Sequence, residues 1–593
     1  MSTPTREPEQ PPAEPLVRSR HAEIKPIRGN ARRRTLALLA ATGAAVLAAH
    51  FLLPAGPSAK PPAGRSTAPA GAANAPAPSA PTFYVSADGD DSADGTTPAT
   101  AWRTLARADR RLYRPGERLL LRGGDTFTGG MDLRPGEAGQ AGKPVEIASY
   151  GSGRAEIDAP SSAAITVYDT AGVAISGLVL VGPGAATSQA AGVDVYNDMS
   201  GDRRFSGITV SGVDVSGFRN GISIGGGNGG SGFSDIRISD SQVHANRDNG
   251  LVTYGPVTPP PGYPFRNVTV TNVAAFDNVG NPDDHKTSTG SGIDLGGVDG
   301  GLVEASTAYG NGSACDSLNG PVGIWAHDST GVVIRHSVSY ANRTGGYTDG
   351  GGFDLDQRTD NSVLEYNLAY DNYGPGYMVY AGTSAARSTG NTVRFNVSLD
   401  DARLPLDADS ITYGALMLAG YETNASVHHN SVVQTVKGER SALLNLGAHL
   451  TGASVRDNIF SAQSGELVRT GAAPTPAQAA LQGNLYYSAA GSWRVSWGAG
   501  AYSALTAWRS GTGQEKLAGQ ATGSAQNPGL VPAAAAAWDP TRKAVLAPGA
   551  GSAAAASGLD LAAKFGTDVG TEDYLGGALS APTAAGALMP AAP

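Results

Sequence analysis

The chain has 593 residues, 81 of them glycine and 38 proline, and only 16% are charged. Aromatic and β-branched residues are still frequent between the glycines, which excludes wholesale disorder. Net charge is −9, but residues 1–34 hold eight Lys/Arg against four Glu and carry +4, leaving −13 on the remainder. A body this acidic is a poor match for nucleic acid, where binding draws on neutralised phosphates. The single cysteine, Cys315, excludes an intramolecular disulfide. With no organised His or Cys partner near it in sequence, it reads as a small loop or core residue rather than a nucleophile or metal thiolate.

Residues 1–34 are polar, proline-rich and basic, ending in Arg32-Arg33-Arg34. The largely apolar run at 35–54 has about the length that spans a bilayer, and the arginines before it place its N-terminal end in the cytoplasm. The run reads as a transmembrane anchor; a long signal peptide cleaved after residues 55–59 is the alternative. Arg33-Arg34-Thr35-Leu36 also loosely resembles a twin-arginine export signal, but plain positive-inside charge is the preferred reading of these arginines. Residues 55–82 form a Pro/Ala-rich linker. The expected product is membrane-anchored with its body outside the cytoplasm, or secreted if the segment is cut.

The body opens at 83–162 with an N-terminal cap and entry strands. Thr82-Phe83-Tyr84-Val85-Ser86 leads into an Asp/Gly cluster, in which Asp88, Asp90, Asp91 and Asp94 serve Asx-turns or bind Ca²⁺. Ala101 to Leu112 predicts an amphipathic helix with Trp102, Leu105 and Leu112 on one side. Short strands follow at 118–122, 145–149 and 155–158.

From about 163 to 470 a strand beginning with Gly recurs at Gly221, Gly250, Gly292, Gly323, Gly352, Gly376 and Gly414. The intervals are 29, 42, 31, 29, 24 and 38 residues. A second series starts at Asp235, Asn267, Gly331, Asn361, Thr392, Ala425 and Ala453, with short third strands such as 337–340 and 367–370 after it. Two or three short strands per repeat without helices predict an all-β single-stranded right-handed parallel β-helix. A β-propeller, with antiparallel blades, would need hairpin turns instead. Asn246, Asn278, Asn311, Asn342 and Asn372 recur near the third strand and fit a structural hydrogen-bonded ladder. The repeats fade into a cap region at 471–574, with Trp493, Trp497, Trp508 and a helix at 502–510, and 575–593 reads as a disordered tail.

Counting each first-series strand from its Gly as zero, positions +1 and +3 face inward and +2 and +4 face out. The outward pairs are Ser223/Gly225, Val252/Tyr254, Asp294/Gly296, Trp325/His327, Asp354/Asp356, Met378/Tyr380 and Leu416/Leu418. Rungs about 4.8 Å apart put Asp294 roughly 9–10 Å from Asp354 at the backbone. That is the range in which paired carboxylates hydrolyse glycosidic bonds. Asp354, Asp356 and Asp294 are the candidate acid and base or nucleophile, and His327 could position or transfer a proton. Trp325, Tyr380 and Tyr254 could bind sugar rings. Each also has a structural role open to it: turn or Ca²⁺ residue for the Asp354/Asp356 pair, packing under the 255–290 loop for Trp325. Asp283, Asp284, His285 and Lys286 border this face, most simply as a solvated loop.

The entry motif Phe83-Tyr84-Val85-Ser86, its Asp/Gly turn, Trp102-Arg103-Thr104-Leu105 and the repeats resemble the pectate-lyase-like superfamily over 83–575. The resemblance implies a carbohydrate-active parallel β-helix, in a superfamily spanning lyases, polygalacturonase-like hydrolases, C5 epimerases and tailspikes. The epimerase motif Tyr-Gly-Phe-Asp-Pro-His matches only at Gly352-Phe353-Asp354, with Gly351 and Asp356 in place of its Tyr and His. The polygalacturonase motifs Asn-Thr-Asp and Gly-His-Gly are absent, and Asp-Asp occurs off the central strands, as at 283–284 and 400–401. No Arg or Lys stands at an outward position of the central strands, which weighs against a lyase that must neutralise a uronate.

The expected function is therefore a polysaccharide-active glycoside hydrolase without a cofactor. A lyase or epimerase with His327 or Tyr380 as base is the second reading, and a non-catalytic glycan-binding surface protein the third.

Overall fold

The computed structural model describes residues 80–590 except 257–261, 347, 404–412, 437–440 and 582. The chain divides into two units, Met1–Pro76 and Ala77–Pro593, and the described residues belong to the second. The expected anchor at 35–54 lies outside them. Among the described residues no helix is long and apolar enough to cross a membrane.

The chain winds as a parallel coil. Each central turn gives one strand to a 14-stranded sheet, here the site sheet, and two short strands to a 25-stranded sheet. Turns pair in parallel until Val495–Trp497 meets Gly500–Tyr502 antiparallel and closes the stack. Inward side chains stack in register. Ile222, Leu251, Ile293, Ile324, Phe353, Tyr377 and Leu416 form one continuous column, and none is more than 1% exposed. Stacking is what makes such turns stable, since each covers its neighbours' apolar faces.

The recurring glycines have a steric cause. A Cβ on Gly323 would lie 2.0 Å from Ser339 Oγ, and one on Gly352 would lie 2.8 Å from the Gly376 carbonyl and 3.0 Å from Asn372 Nδ2. The site sheet thus runs close beside the asparagine ladder, which has the predicted members. Asn246, Asn278, Asn311 and Asn342 each donate Nδ2–H to Oδ1 of the next at 2.9–3.0 Å, and Asn372 ends the run on Asp401 at 2.8 Å. Asn367, Asn396, Asn430, Asn458 and Asn484 form a second ladder, which ends on Glu515. The second-series corners also explain themselves: Asp235, Asn267, Gly331, Asn361 and Asn424 all have φ between 50° and 63°, the left-handed region that Gly, Asn and Asp tolerate best.

Several expectations are corrected. Coiling starts before residue 163: Thr82–Val85 already pairs in parallel with Arg118–Arg122, and Met131–Leu133 with the Ile165–Tyr168 strand. The helix expected over Ala101 to Leu112 is one turn, Leu105–Ala108, capped by Thr104. Trp102 is buried by a parallel bridge to Val85 and by stacking on Phe83, not by a helical face, and Leu112 is exposed. The cap helix is Leu505–Thr512, ended by Gly513 at φ 75°. Its Trp508 is fully buried against Trp493 and Trp497. The tail is packed rather than disordered over its described residues. Tyr574, Ala587 and Leu588 are buried on Val338, Leu368 and Val397 of the 25-stranded sheet, and the Ala587 N–H donates to Ser431 Oγ at 2.9 Å. Small residues there let the chain lie flat on the sheet, which composition alone read as disorder.

Candidate active site

The register puts the expected side chains side by side on one face of the site sheet. Val252 pairs with Asp294, Asp294 with Trp325, Trp325 with Asp354, and Asp354 with Met378. Gly296 pairs with His327, and the Leu355–Val379 pair sets Tyr380 beside Asp356. The expected alignment slips by one residue at the next turn. Met378 pairs with Met417, so Leu416 and Leu418, expected to point outward, are fully buried in the core. Tyr377 pairs with Leu416 where Ala415 was expected.

The face is not open to solvent as expected. Loop residues 286–289 and 318–320 roof it, leaving Asp354 1% and Asp294 5% exposed. Two adjoining cavities result. The larger, about 510 Å³, holds Tyr254, Asp294, Trp325, His327 and Asp356, with Arg219 and Lys286 at its wall. The smaller, about 160 Å³, holds Asp349, Asp354, Asp356, Trp325, Tyr380 and Tyr413. Trp325 and Asp356 belong to both. Lys286, from the 283–286 group expected to border this face, does line the cavity, and Arg219 joins it from another loop, while the central strands themselves carry no cation there. Arg219 is already paired with Asp248 at 2.6 Å, whereas Lys286 makes no ion pair among the described residues.

His327 leans over Gly296, where a Cβ would lie 2.6 Å from the imidazole. Its Nε2 lies 3.4 Å from Asp294 Oδ1 and its Nδ1 2.8 Å from Asp328 Oδ2. Asp328 is in turn bound by Arg358. Burial disfavours the imidazolium, but Asp294 and Asp328 outweigh it and push His327 up to about 10. His327 is therefore a fixed cation at neutral pH. Trp325 packs on His327 with ring centroids 4.9 Å apart and donates its indole N–H to Ser291 Oγ at 3.1 Å, so it forms a rigid wall between the two cavities.

The acids behave differently. Burial first, then the charges of Asp356 and Asp349, hold Asp354 well above the usual carboxylate range. Its Oδ1 is buried without a hydrogen-bond partner. Burial raises Asp356 to about 6 and Asp349 to about 7. Asp349 accepts the Tyr413 hydroxyl at 2.9 Å and the Gly320 N–H at 3.0 Å. Behind them, burial and Asp356 raise Glu422 to about 8. Carboxyls sharing a low-dielectric site keep protons at neutral pH because they cannot all ionise together.

Asp328, Asp349, Arg358, Tyr413 and Glu422 were invisible to strand alignment. Asp328 and Asp349 sit just outside strands, at φ 50° and 58°; an Asp at such a corner, directly after His327 or before the Gly351–Leu355 strand, is the only signal they left. Among the described residues no group of three or more His, Cys, Asp or Glu is placed to hold a metal ion. The entry-turn acids serve turns and ion pairs: Asp90 accepts the Ser92 N–H, Asp91 those of Arg103 and Thr104, Asp94 that of Thr96, and Asp88 pairs with Arg122.

The family described as "Right handed beta helix region" matches residues 191–393. Similar solved structures include a GH136 lacto-N-biosidase from Eubacterium ramulus, 16% identical at TM-score 0.46, over 62% of this chain and 65% of that one, just under two thirds of its length. They also include pectate lyase Pel9A, 18% identical at TM-score 0.37 over 62% and 78%. A third is a mannuronan C-5 epimerase A-module from Azotobacter vinelandii, 15% identical at TM-score 0.39 over 62% and 87%. No curated protein matches the chain. The strand pairing makes the described body a parallel β-helix, and residues 191–393 match the right-handed form of that fold.

Proposed function

We propose that the protein is a glycoside hydrolase acting on a polysaccharide, held outside the cytoplasm by its 35–54 segment. Asp354 is the general acid that protonates the glycosidic oxygen. Asp356 is the carboxylate that activates water or attacks the anomeric carbon. Trp325 and Tyr380 hold the sugar ring between them, and water adds across the broken bond. The observation that carries this reading is Asp354 itself: a carboxyl with an unpartnered buried oxygen, on the wall of a cavity shared with a second, more acidic carboxyl. Two carboxyls with separated proton affinities are what glycosidic hydrolysis requires.

Hydrolysis is favoured over elimination or epimerisation by the state of the two candidate bases. His327 is charged at neutral pH and holds no free lone pair for a C5 proton. The Tyr380 phenol is raised further by burial and by the aspartates around it, which keeps it protonated.

The test is an assay of the full chain on a polysaccharide panel. Reducing ends should appear without the ultraviolet absorbance of an unsaturated uronide, and Asp354→Asn should abolish them. Absorbance growth would replace hydrolysis with elimination. Retention of glycan without turnover in wild type would make the protein a binder.

A further inference from the structure

Among the described residues, three of the eight large hydrophobic side chains with marked exposure are tyrosines of one column on the site sheet: Tyr168 at 38%, Tyr254 at 42% and Tyr380 at 36%. The strand pairing makes the column explicit. Tyr168 pairs with Tyr196, Tyr196 with Gly225, and Gly225 with Tyr254. The next positions are Gly296, His327, Asp356 and Tyr380. We infer that this column is a binding track for an extended glycan, continuing the cleavage cavity toward the N-terminal turns, with Tyr168 and Tyr196 as its distal contacts.

Three observations carry the assignment. First, the track is continuous with the cavity, because Tyr254 lies on the wall of both. Second, the rings pack loosely: Tyr168–Tyr196 and Tyr196–Tyr254 stack with centroids 6.4 Å apart, whereas the rings of the ladder His244–Phe276–Tyr309–Tyr340–Tyr370 on the other sheet stand 4.5–4.9 Å apart. Third, the track is held in place. The Tyr168 hydroxyl donates to Asp198 at 2.9 Å, and Gly225 leaves the room in which Tyr196 and Tyr254 close toward one another, since a Cβ there would lie 2.5 and 2.6 Å from their rings. Rigid aromatic bodies with polar tips suit a ligand that is apolar on ring faces and wet at its edges. From Tyr168 to Tyr380 the column crosses eight strands, about 34 Å at about 4.8 Å per rung. That is several sugar rings long, so the preferred substrate is a polymer rather than a short oligosaccharide. This inference rests on the glycan-active reading above and extends it to chain length.

The experiment uses the full chain with polygalacturonate, alginate and xylan, each as polymer and as trisaccharide, in affinity gels and in turnover assays. Tyr168→Ala combined with Tyr196→Ala should weaken retention by the bound polymer and raise its KM about tenfold, a factor well inside what two lost contacts can supply. The polymer kcat and the trisaccharide kinetics should stay at wild-type values. Tyr168→Phe combined with Tyr196→Phe keeps the rings and should restore retention, which separates ring contact from misfolding. Unchanged polymer KM and retention in the double alanine variant, or an equal loss on trisaccharide, would overturn the track. So would failure of wild type to be retained by any of the three polymers. Asp354→Asn should be retained normally without turnover; if it stays fully active, the assignment of the acid falls, while the tyrosine variants still decide the track.

Discussion

Two aromatic columns run along the same coil at the same pitch, and they are packed differently. On the 25-stranded sheet, His244, Phe276, Tyr309, Tyr340 and Tyr370 stack at 4.5–4.9 Å with planes within 9° of each other. Every turn supplies a ring, and Lys543 of the returning tail sits over the Tyr370 ring at 4.6 Å. On the site sheet, glycines at 225 and 296 interrupt the column, and rings lean into the gaps. A ring at every rung saturates its neighbours and yields stability. A column broken by glycines and charged residues leaves ring surface partly exposed, which is what a ligand needs. Periodicity marks both columns in the sequence; the interruptions distinguish them.

The sharpest way to break this contrast is to change charge on the site sheet without changing shape. Asp354→Asn should lower kcat by about 10²–10⁴, the range for loss of a general acid. Thermal stability should hold or rise, because burial disfavours the charged form of this carboxyl in the folded state. A fall in stability with full activity would give Asp354 a structural role like that of the His244–Tyr370 ladder.

The pH profile gives the next largest effect. In the proposed mechanism Asp356 acts ionised, so activity should fall about tenfold per unit below an acid limb near 6. Asp354 must be protonated, and its raised affinity places the alkaline limb higher. His327 holds Asp356 down, so His327→Gln should move the acid limb to higher pH without removing it. A limb that moves down or stays fixed would detach His327 from the pair. Stability should follow the opposite sense to ordinary ion pairs. Asp349, Asp356 and Glu422 bind protons more tightly when folded, at about 7, 6 and 8. Stability is therefore full below about pH 4 as far as these groups are concerned, and declines as pH rises toward 8. Glu422→Gln, measured by thermal melting, should match wild type at pH 5 and exceed it at pH 8.

On the other column the effect is smaller and purely structural. Tyr340→Ala removes a ring stacked on both sides and should cost about 1–3 kcal/mol in denaturant unfolding, with polymer turnover unchanged. Tyr254→Ala should do the reverse, costing under about 0.5 kcal/mol while raising KM. If both cost the same stability, spacing does not separate the columns.

Much of this was legible because parallel stacking repeats each constraint once per turn. The glycine column, the Asn246–Asn372 ladder and the Asp294–Trp325–Asp354 register each follow from one residue type returning at one place. What escaped is what does not repeat. Asp328, Asp349 and Arg358 lie at corners used once, and Arg219 sits in a loop between two strands. The register slip at Ala415 and the packed tail were missed because small residues carry no periodic signal. The second corner column was hidden differently. His336, Tyr366, Phe395 and His429 take φ of 48–55°, a conformation that costs bulky residues about 1–3 kcal/mol each. Stacking of His336 on Tyr366, Tyr366 on Phe395 and Phe395 on His429 at 4.8–5.8 Å offsets that cost, so aromatic rings stand where sequence logic expects Asn or Gly.

The smallest expected effect concerns the entry turn, where the sequence left Ca²⁺ and Asx-turns both open. Asp91 receives the Arg103 and Thr104 N–H groups at 2.8 and 3.0 Å and the Thr104 hydroxyl at 2.7 Å, while Asp94 takes the Thr100 hydroxyl at 2.7 Å. A carboxylate accepting two or three donors has few lone pairs left for a cation, and a bound ion would have to displace those N–H groups from their partners. Chelator should therefore leave the melting midpoint and turnover unchanged, whereas Asp91→Ala, which strips three donors at the start of the Leu105–Ala108 turn, should lower the midpoint by a few degrees. A chelator-induced drop comparable to that of Asp91→Ala would mean the turn is organised around an ion, and would place the N-terminal end of the coil under metal control while leaving both aromatic columns as they are.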